Sequence, residues 1–362
     1  MTTQHARNML VVNDWLHRAM RITLSTIHGS DNYGAVLQAS CLAHELATYG
    51  TVEVLDHRPL ILNAGYLQDC LPYQPLRRRL NPHLTSYLRK HRAMGRAQRT
   101  MLPLSARVRH HPRPEDYHRA DVAVVGSDEV WSDMWGYQRQ FFLADAPADT
   151  RRVAYAVSAG RSHEWRASES IRHELARFDT VLVRDANTAA LSTSVGRDPD
   201  EIVCDPVLLV DPDHLRALAA SSRRPAPPPG SYVLVYLEGC RPDAVVPRAM
   251  AAVGAPERVV SAGFWYPGAE QRIDADPAEF VALVDNAALV ITTMFHGIVT
   301  GLALGTTVAV IDHPAKAAKI RDLLDRVQAD REEGDGYALV ARADDIDGFR
   351  TRSRKALRAA LA

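Results

Sequence analysis

Hydrophobic and polar positions along the chain follow two alternating rhythms. Short β-branched runs end on polar or small residues: RITLSTI (21–27), TVEVLD (51–56), DVAVVGSD (121–128), RRVAYAVSAG (151–160), TVLVRD (180–185) and EIVCDP (201–206). Between them apolar residues recur at helical spacing. Ala35, Ala39, Leu42 and Leu46 share one face of GAVLQASCLAHELATYG, where Gly50 is the stop, and a second helix is expected over 165–177. The proline-rich stretch RRPAPPPG (223–230) interrupts the pattern, which then restarts with SYVLVYLE, ERVVSAGF, a helix over DPAEFVALVDNA, ALVITT, a helix opening at TTMFHG, and TVAVID. Short βα alternation predicts parallel sheets covered by helices on both faces.

The expected fold is therefore α/β, as two doubly wound, Rossmann-like domains facing each other. A chain of 362 residues fits two domains of ordinary size. The boundary is expected between Asp205 and Gly230, giving a first domain over 20–212 and a second over 213–362. Residues 1–19 are expected to be an extension peripheral to the fold, because the first strand starts at Met20.

Lys+Arg and Asp+Glu both total 43, so no global field favours nucleic acid or membrane. The charge is unevenly spread, however. Every charged residue between Cys70 and Pro114 is basic, and Pro72, Pro75, Pro82 and Pro103 are expected to break this insertion (about 70–118) into short helices. A solvated helical lid is the first reading of it, and contact with an anionic lipid surface or acidic acceptor the second. Tyr87 is nearly its only interleaved aromatic residue, which argues against a nucleic-acid surface. Cys41, Cys70, Cys204 and Cys240 are too widely spaced for a metal site or disulfide framework and read as reduced thiols of a cytoplasmic protein. No run reaches transmembrane length, and no residue cluster calls for a metal or a cofactor.

In an open parallel sheet, ligands bind beyond the carboxyl ends of the strands. The polar residues there are Ser30-Asp31-Asn32-Tyr33, Gly126-Ser127-Asp128-Glu129, Ser158 to Arg161, Arg184-Asp185, Glu238-Gly239 and Thr292 to Gly297. Thr293 is placed to cap the helix that follows, with His296 in its first turn, where the dipole favours an anion. Gly297 would admit a ligand or another backbone, and Gly301 and Ala303 would let the helix pack tightly on the sheet. Satisfying a backbone carbonyl at a domain contact is the other reading of His296. Asp128 and Glu129 either receive a substrate hydroxyl or cap a helix. Arg184, ending an apolar strand, either holds an anion or pairs with Asp185 or Asp205. Asp205-Pro206 reads as a hinge.

Together these segments resemble the polysaccharide pyruvyl transferase family. The landmarks, in family order from about Arg21 to about Asp312, are DNYGAVLQ with VEVLDHRP, then DVAVVGSDEVW, FFLAD, RRVAYAVSAG, VLVRD, CDPVLL and FVALVDNAALVITTMFHGIVTGLALG. The resemblance implies two Rossmann-like domains in a GT-B-type arrangement with a cleft between them. It also implies transfer of the enolpyruvyl unit of phosphoenolpyruvate to a sugar, glycan or glycosylated metabolite as a ketal. The arginine of the VR(E/D) motif maps onto Arg184 and the histidine of the late HG motif onto His296, both as donor ligands, with Gly297 and Thr293 beside them. Protonation at C3 and attack of a hydroxyl at C2 need an acid and a base. His296 would be the acid or hold the phosphate, Asp128 or Asp31 the base, and Asn32, Tyr33 and Glu129 would meet the acceptor. Many members carry arginine two residues before the histidine, where Met294 stands here, and another subtype has an acid where this chain has Ala35. The competing readings are a GT-B-type glycosyltransferase using a nucleotide sugar, with Asp312 holding the ribose, and a non-catalytic phospho-ligand-binding domain.

Overall fold

The computed structural model describes residues 19–59, 73–74, 79–238, 244–313 and 316–362. The expected extension before Met20, Cys70, Cys240 and the start of the basic insertion lie largely outside these residues. The first half of the chain runs β1 (Met20–Ser25), α1 (Tyr33–Leu46), β2 (Gly50–Val54), the short strands β3 (Tyr73–Gln74) and β4 (Arg79–Leu80), and α2 (Leu84–Met101). It continues through β5 (Val122–Val125), β6 (Arg151–Val157), α3 (Ser168–Leu175), β7 (Thr180–Val183), α4 (Ala186–Ser194), β8 (Glu201–Ile202) and α5 (Pro206–Leu209). The second half runs α6 (Pro212–Ala220), β9 (Val233–Tyr236), α7 (Val245–Ala252), β10 (Val259–Ala262), β11 (Glu270–Arg272), α8 (Pro277–Asp285) and β12 (Leu289–Thr292). Last come α9 (Phe295–Leu304), β13 (Val308–Ile311), α10 (Ala317–Arg326), β14 (Ala329–Gly334), β15 (Tyr337–Ala343) and α11 (Ile346–Leu361).

Two sheets result. The first has six strands in the order β2-β1-β5-β6-β7-β8, every pair parallel. The second has seven in the order β11-β10-β9-β12-β13-β15-β14, parallel except where β15 meets β13 and β14. Continuous apolar runs explain the central strands: β5 (VAVV), β9 (VLVY) and β12 (LVIT) are buried at every position, as helix-covered parallel strands must be. The molecule is thus two Rossmann-like α/β units with the GT-B-type arrangement.

Helix α11, at the end of the chain, is not confined to the second unit: it returns to pack on α5, β6 and β7 of the first. There Ser353 Oγ accepts from Cys204 N at 2.9 Å and Arg350 Nε donates to Leu208 O at 2.8 Å. The basic insertion is not a string of short helices either. No proline lies between Pro82 and Pro103, and α2 is a single helix of 18 residues. Its Tyr87, Lys90, Met94, Ala97 and Gln98 are buried at helical spacing, with Met94 in the main core.

That core is continuous across both units. Tyr33 of α1 stacks on Phe280 of α8, ring centroids 4.8 Å apart, and lies 5.7 Å from Tyr236 of β9. Lys90 of α2 crosses the same junction, donating to Gly263 O at 3.1 Å and lying over the rings of Tyr33 and Phe264. Helix α9 closes on its sheet through Gly301, where an added Cβ would sit 2.4 Å from Val308 Cγ2.

Candidate functional site

The carboxyl ends of β1, β5, β7, β9, β12 and β13 point toward one gap between the units. A cavity of about 370 Å³ lies there, walled by Asn32, Asp128, Glu129, Arg161 and Arg184 from the first unit and by Glu238, Met294, His296, His313, Lys316 and Lys319 from the second. At its floor is a buried carboxylate. Asp205 caps α5 by accepting from Val207 N at 3.0 Å, and its other oxygen accepts from Arg184 Nη1 at 2.9 Å. His296 Nε2 stands 3.4 Å from the same oxygen but off the line of a hydrogen bond, so this buried nitrogen is left without a hydrogen-bond partner. Burial pushes the Asp205 carboxyl up, but the His296 ring and the Arg184 guanidinium outweigh it and hold it below the usual carboxylate range. Burial likewise disfavours charge on Arg184, yet Asp205 and Asp128 keep its proton more tightly bound than usual.

The surroundings fix both side chains. Arg184 follows β7 directly, its N–H donating to Val157 O at 2.9 Å, and its guanidinium lies 4.5 Å over the ring of Phe295. The His296 ring is seated on Gly34 of α1. A Cβ at position 34 would come within 2.1 Å of Nδ1, so only glycine lets the start of α1 reach the imidazole. His296 is therefore buried, 7% exposed, rather than displayed at a helix start.

The remaining charges are held in pairs across or along the gap. Lys319 Nζ of α10 reaches Glu129 Oε1 at 2.5 Å, joining the two units. Burial raises Glu129, but Lys319 overrides it and leaves the carboxyl below its ordinary value. Lys316 Nζ lies 3.2 Å from Met294 Sδ and 3.5 Å from Glu238 Oε2, whose side chain is 47% exposed. Burial lowers the Lys316 ammonium pKa against the partial support of Glu238. Arg161 Nη2 lies 3.2 Å from Met134 Sδ, and its charge adds to the pull that holds the Glu129 carboxyl down. Asp128 stands 3.9 Å from Arg184 Nη2 with a left-handed backbone, φ 69°. His313 Nδ1 and Thr293 Oγ1 are, like His296 Nε2, buried polar atoms with no hydrogen bond. Of these three, His296 and His313 line the cavity, and a buried polar group left without a hydrogen bond costs roughly 1–3 kcal/mol.

The strand-end residues divide accordingly. Asn32, Asp128, Glu129, Arg184 and His296 line one cavity. Asp31 does not: its carboxylate faces α2, 3.0 Å from His91 Nδ1. Tyr33, placed with the acceptor residues, is instead a core residue, 1% exposed, its hydroxyl donating to Ile273 O at 3.4 Å. Thr293 is not the cap of α9, because Thr292 Oγ1 accepts from Met294 N at 2.9 Å while donating to Tyr236 O at 2.7 Å. Gly297 serves packing, since a Cβ there would meet Thr292 Oγ1 at 2.6 Å. Of the partners weighed for Arg184, Asp205 is the one found, and Asp185 is taken by Ser158 and Thr188. Asp312 is exposed and outside the cavity wall. Lys316 and Lys319 escaped the sequence reading, although they follow the strand end of TVAVID as directly as the others follow theirs. Among the described residues no group of three or more His, Cys, Asp or Glu could hold a metal ion.

Fold and cavity together define a two-unit α/β protein of GT-B type with a charged cleft between its sheets. A sequence model of the polysaccharide pyruvyl transferase family matches residues 32–314, and the chain belongs to that family of transferases. No curated protein matches the chain by sequence. Among solved structures it is similar to UDP-N-acetylglucosamine 2-epimerase from Rickettsia bellii, with 10% identity, TM-score 0.45, and 95% of this chain and 96% of that one covered. ADP-heptose lps heptosyltransferase II from E. coli has 14% identity, TM-score 0.39, and coverage of 94% and 98%. UDP-GlcNAc 2-epimerase from Neisseria meningitidis has 12% identity, TM-score 0.40, and coverage of 83% and 85%. Likenesses this remote carry nothing about ligand or reaction.

Proposed function

We propose that the cleft binds phosphoenolpyruvate and moves its enolpyruvyl unit onto a sugar or glycan as a cyclic ketal. The observation that carries this reading is the convergence on one cavity of Arg184 and His296, from different units, with Lys316 beside them. A small molecule bearing a phosphate and a carboxylate needs several fixed cations, and charge-assisted hydrogen bonds from Arg and Lys are the strong ones. Lys316 Nζ sits against Met294, so α10 brings a cation to the place where many family members carry arginine. Arg161 is a further donor, and Glu238 is exposed enough to swing away when Lys316 takes an anion.

In the proposed reaction C3 of the enol accepts a proton from His296, and a first sugar hydroxyl adds to C2, losing its proton to Asp128. Phosphate leaves with Arg184 and Lys316 neutralising its charge. A second hydroxyl then closes the ring at C2, and its proton departs with the phosphate. One hydroxyl proton in balance ends on the new methyl group and the other on phosphate, so no cofactor is consumed. Asp205 keeps the guanidinium oriented, Gly34 seats the imidazole, and Asn32 and Glu129 would meet the acceptor.

Titrating phosphoenolpyruvate against thermal unfolding, and following phosphate release with candidate sugars, tests the reading. Binding to the native state raises its melting temperature by mass action. Lys316→Met should leave the unliganded stability within about 1 kcal/mol of wild type while losing roughly 1.5–3 kcal/mol of donor affinity, about 10- to 150-fold. Absence of any protection of the wild-type protein by phosphoenolpyruvate would overturn the donor assignment.

A further inference from the structure

Helix α2 has a second face that the cleft does not use. Its Lys90 and His91 turn toward the junction and Asp31, but Arg89, Arg92, Arg96 and Arg99 are all exposed. At about 100° per residue these four fall within an arc of roughly 80°, a stripe about 15 Å long. None of the four makes an ion pair among the described residues. The sequence supplies no acid between Cys70 and Pro114 that could screen them locally. Like charges three and four residues apart on a helix repel, so the stripe is held against its own electrostatics and is relieved by an anionic counter-surface. Arg96 also lines a cavity of about 470 Å³ with Arg223, His214 and Asp276.

We infer that this arginine stripe is a docking surface for an anionic lipid bilayer. Charge complementarity calls for a polyanionic partner, and the neighbouring side chains choose among such partners. Leu88, 41% exposed, adjoins the stripe, and Leu80, 75% exposed, precedes the helix; both are large apolar groups left in water. Apolar residues beside a row of arginines suit the boundary between headgroups and acyl chains. A nucleic-acid surface would instead present aromatic rings for stacking, and the helix's one aromatic residue, Tyr87, is buried. No helix among the described residues is long and apolar enough to cross a membrane, so the contact is peripheral. The inference stands apart from the identity of the donor. It places the protein at a surface where a lipid-borne acceptor would be concentrated.

Co-sedimentation of the full chain with phosphatidylcholine vesicles, with and without phosphatidylglycerol, tests this. Binding should require the anionic lipid and fall steeply as salt is raised. Each arginine near an anionic surface strengthens partitioning about fivefold, so the quadruple variant R89Q/R92Q/R96Q/R99Q should lose on the order of a hundred- to a thousand-fold. Its phosphoenolpyruvate protection should be unchanged, because these residues are outside the cleft. Leu88→Ser should weaken binding further in a way that salt does not reproduce. Should the quadruple variant fail to fold, the salt dependence and lipid selectivity of the wild-type chain carry the same test. Equal binding to neutral vesicles, no binding to anionic ones, or displacement from them by a homopolymeric RNA of equal charge would overturn the inference.

Discussion

The junction between the two units has two contrasting sides, and a single turn of chain contributes to both. On one side Tyr33, Tyr236 and Phe280 make an aromatic seam, each ring in contact with the other two. On the other, one residue away in each direction, Asn32 lines the charged cavity and Gly34 lies against the His296 ring. The seam holds the units by burying large rings, whose worth is set by area and fit. The cavity is assembled from groups that would be more stable elsewhere: a buried carboxylate paired with a buried guanidinium, an imidazole nitrogen without a hydrogen bond, and an ammonium whose proton burial has loosened. Stability on one side supports strain on the other.

The largest separation of the two should come from Tyr33→Ala. Removing a buried aromatic side chain costs roughly 3–5 kcal/mol, read as a lowered denaturation midpoint. Phosphoenolpyruvate protection per folded molecule should persist, and its loss would mean that seam and cavity are one device. Gly34→Ala should do the reverse. The added methyl overlaps the His296 ring, so a stability loss of about 1–3 kcal/mol should accompany disproportionate loss of turnover. Full activity in that variant would show that the imidazole position does not matter. The smallest effect belongs to Asp31→Asn. Its partner His91 is 54% exposed, and such pairs contribute less than about 1 kcal/mol, so stability and turnover should stay near wild type. If turnover collapses instead, Asp31 and not Asp128 takes the hydroxyl proton.

The central parallel strands were legible in sequence because helix-covered strands must be apolar at every position, as VAVV and VLVY are. The β14–β15 hairpin was not, since ADREEG lies at the sheet edge with its charged residues in water and shows no alternation. In the basic insertion the prolines were visible, but the proline-free interval with Tyr87, Met94 and Ala97 on one stripe was the stronger signal. Within the site, the strand-end rule found Asn32, Asp128, Glu129, Arg184 and His296. It could not separate Asn32 from Asp31 and Tyr33, because neighbouring residues around a turn point in unrelated directions. Lys316 and Lys319 needed the same rule applied at one more strand. Glu129 was visible as an acid, but its partner across the gap was not.

The return of α11 to the first unit has a kinematic consequence. Halves joined by one linker are free to rotate about any axis, whereas here the chain passes between them after α5, at 210–211, and again before α11, at 344–345. Two neighbouring crossings act like two pins and reduce relative motion to a swing about the line through them. Arg184 and Asp205 both belong to the first unit, so their contact moves with it as one piece. Lys319 grips Glu129 of the opposite unit, so a swing that opens the cleft there has to part that ion pair.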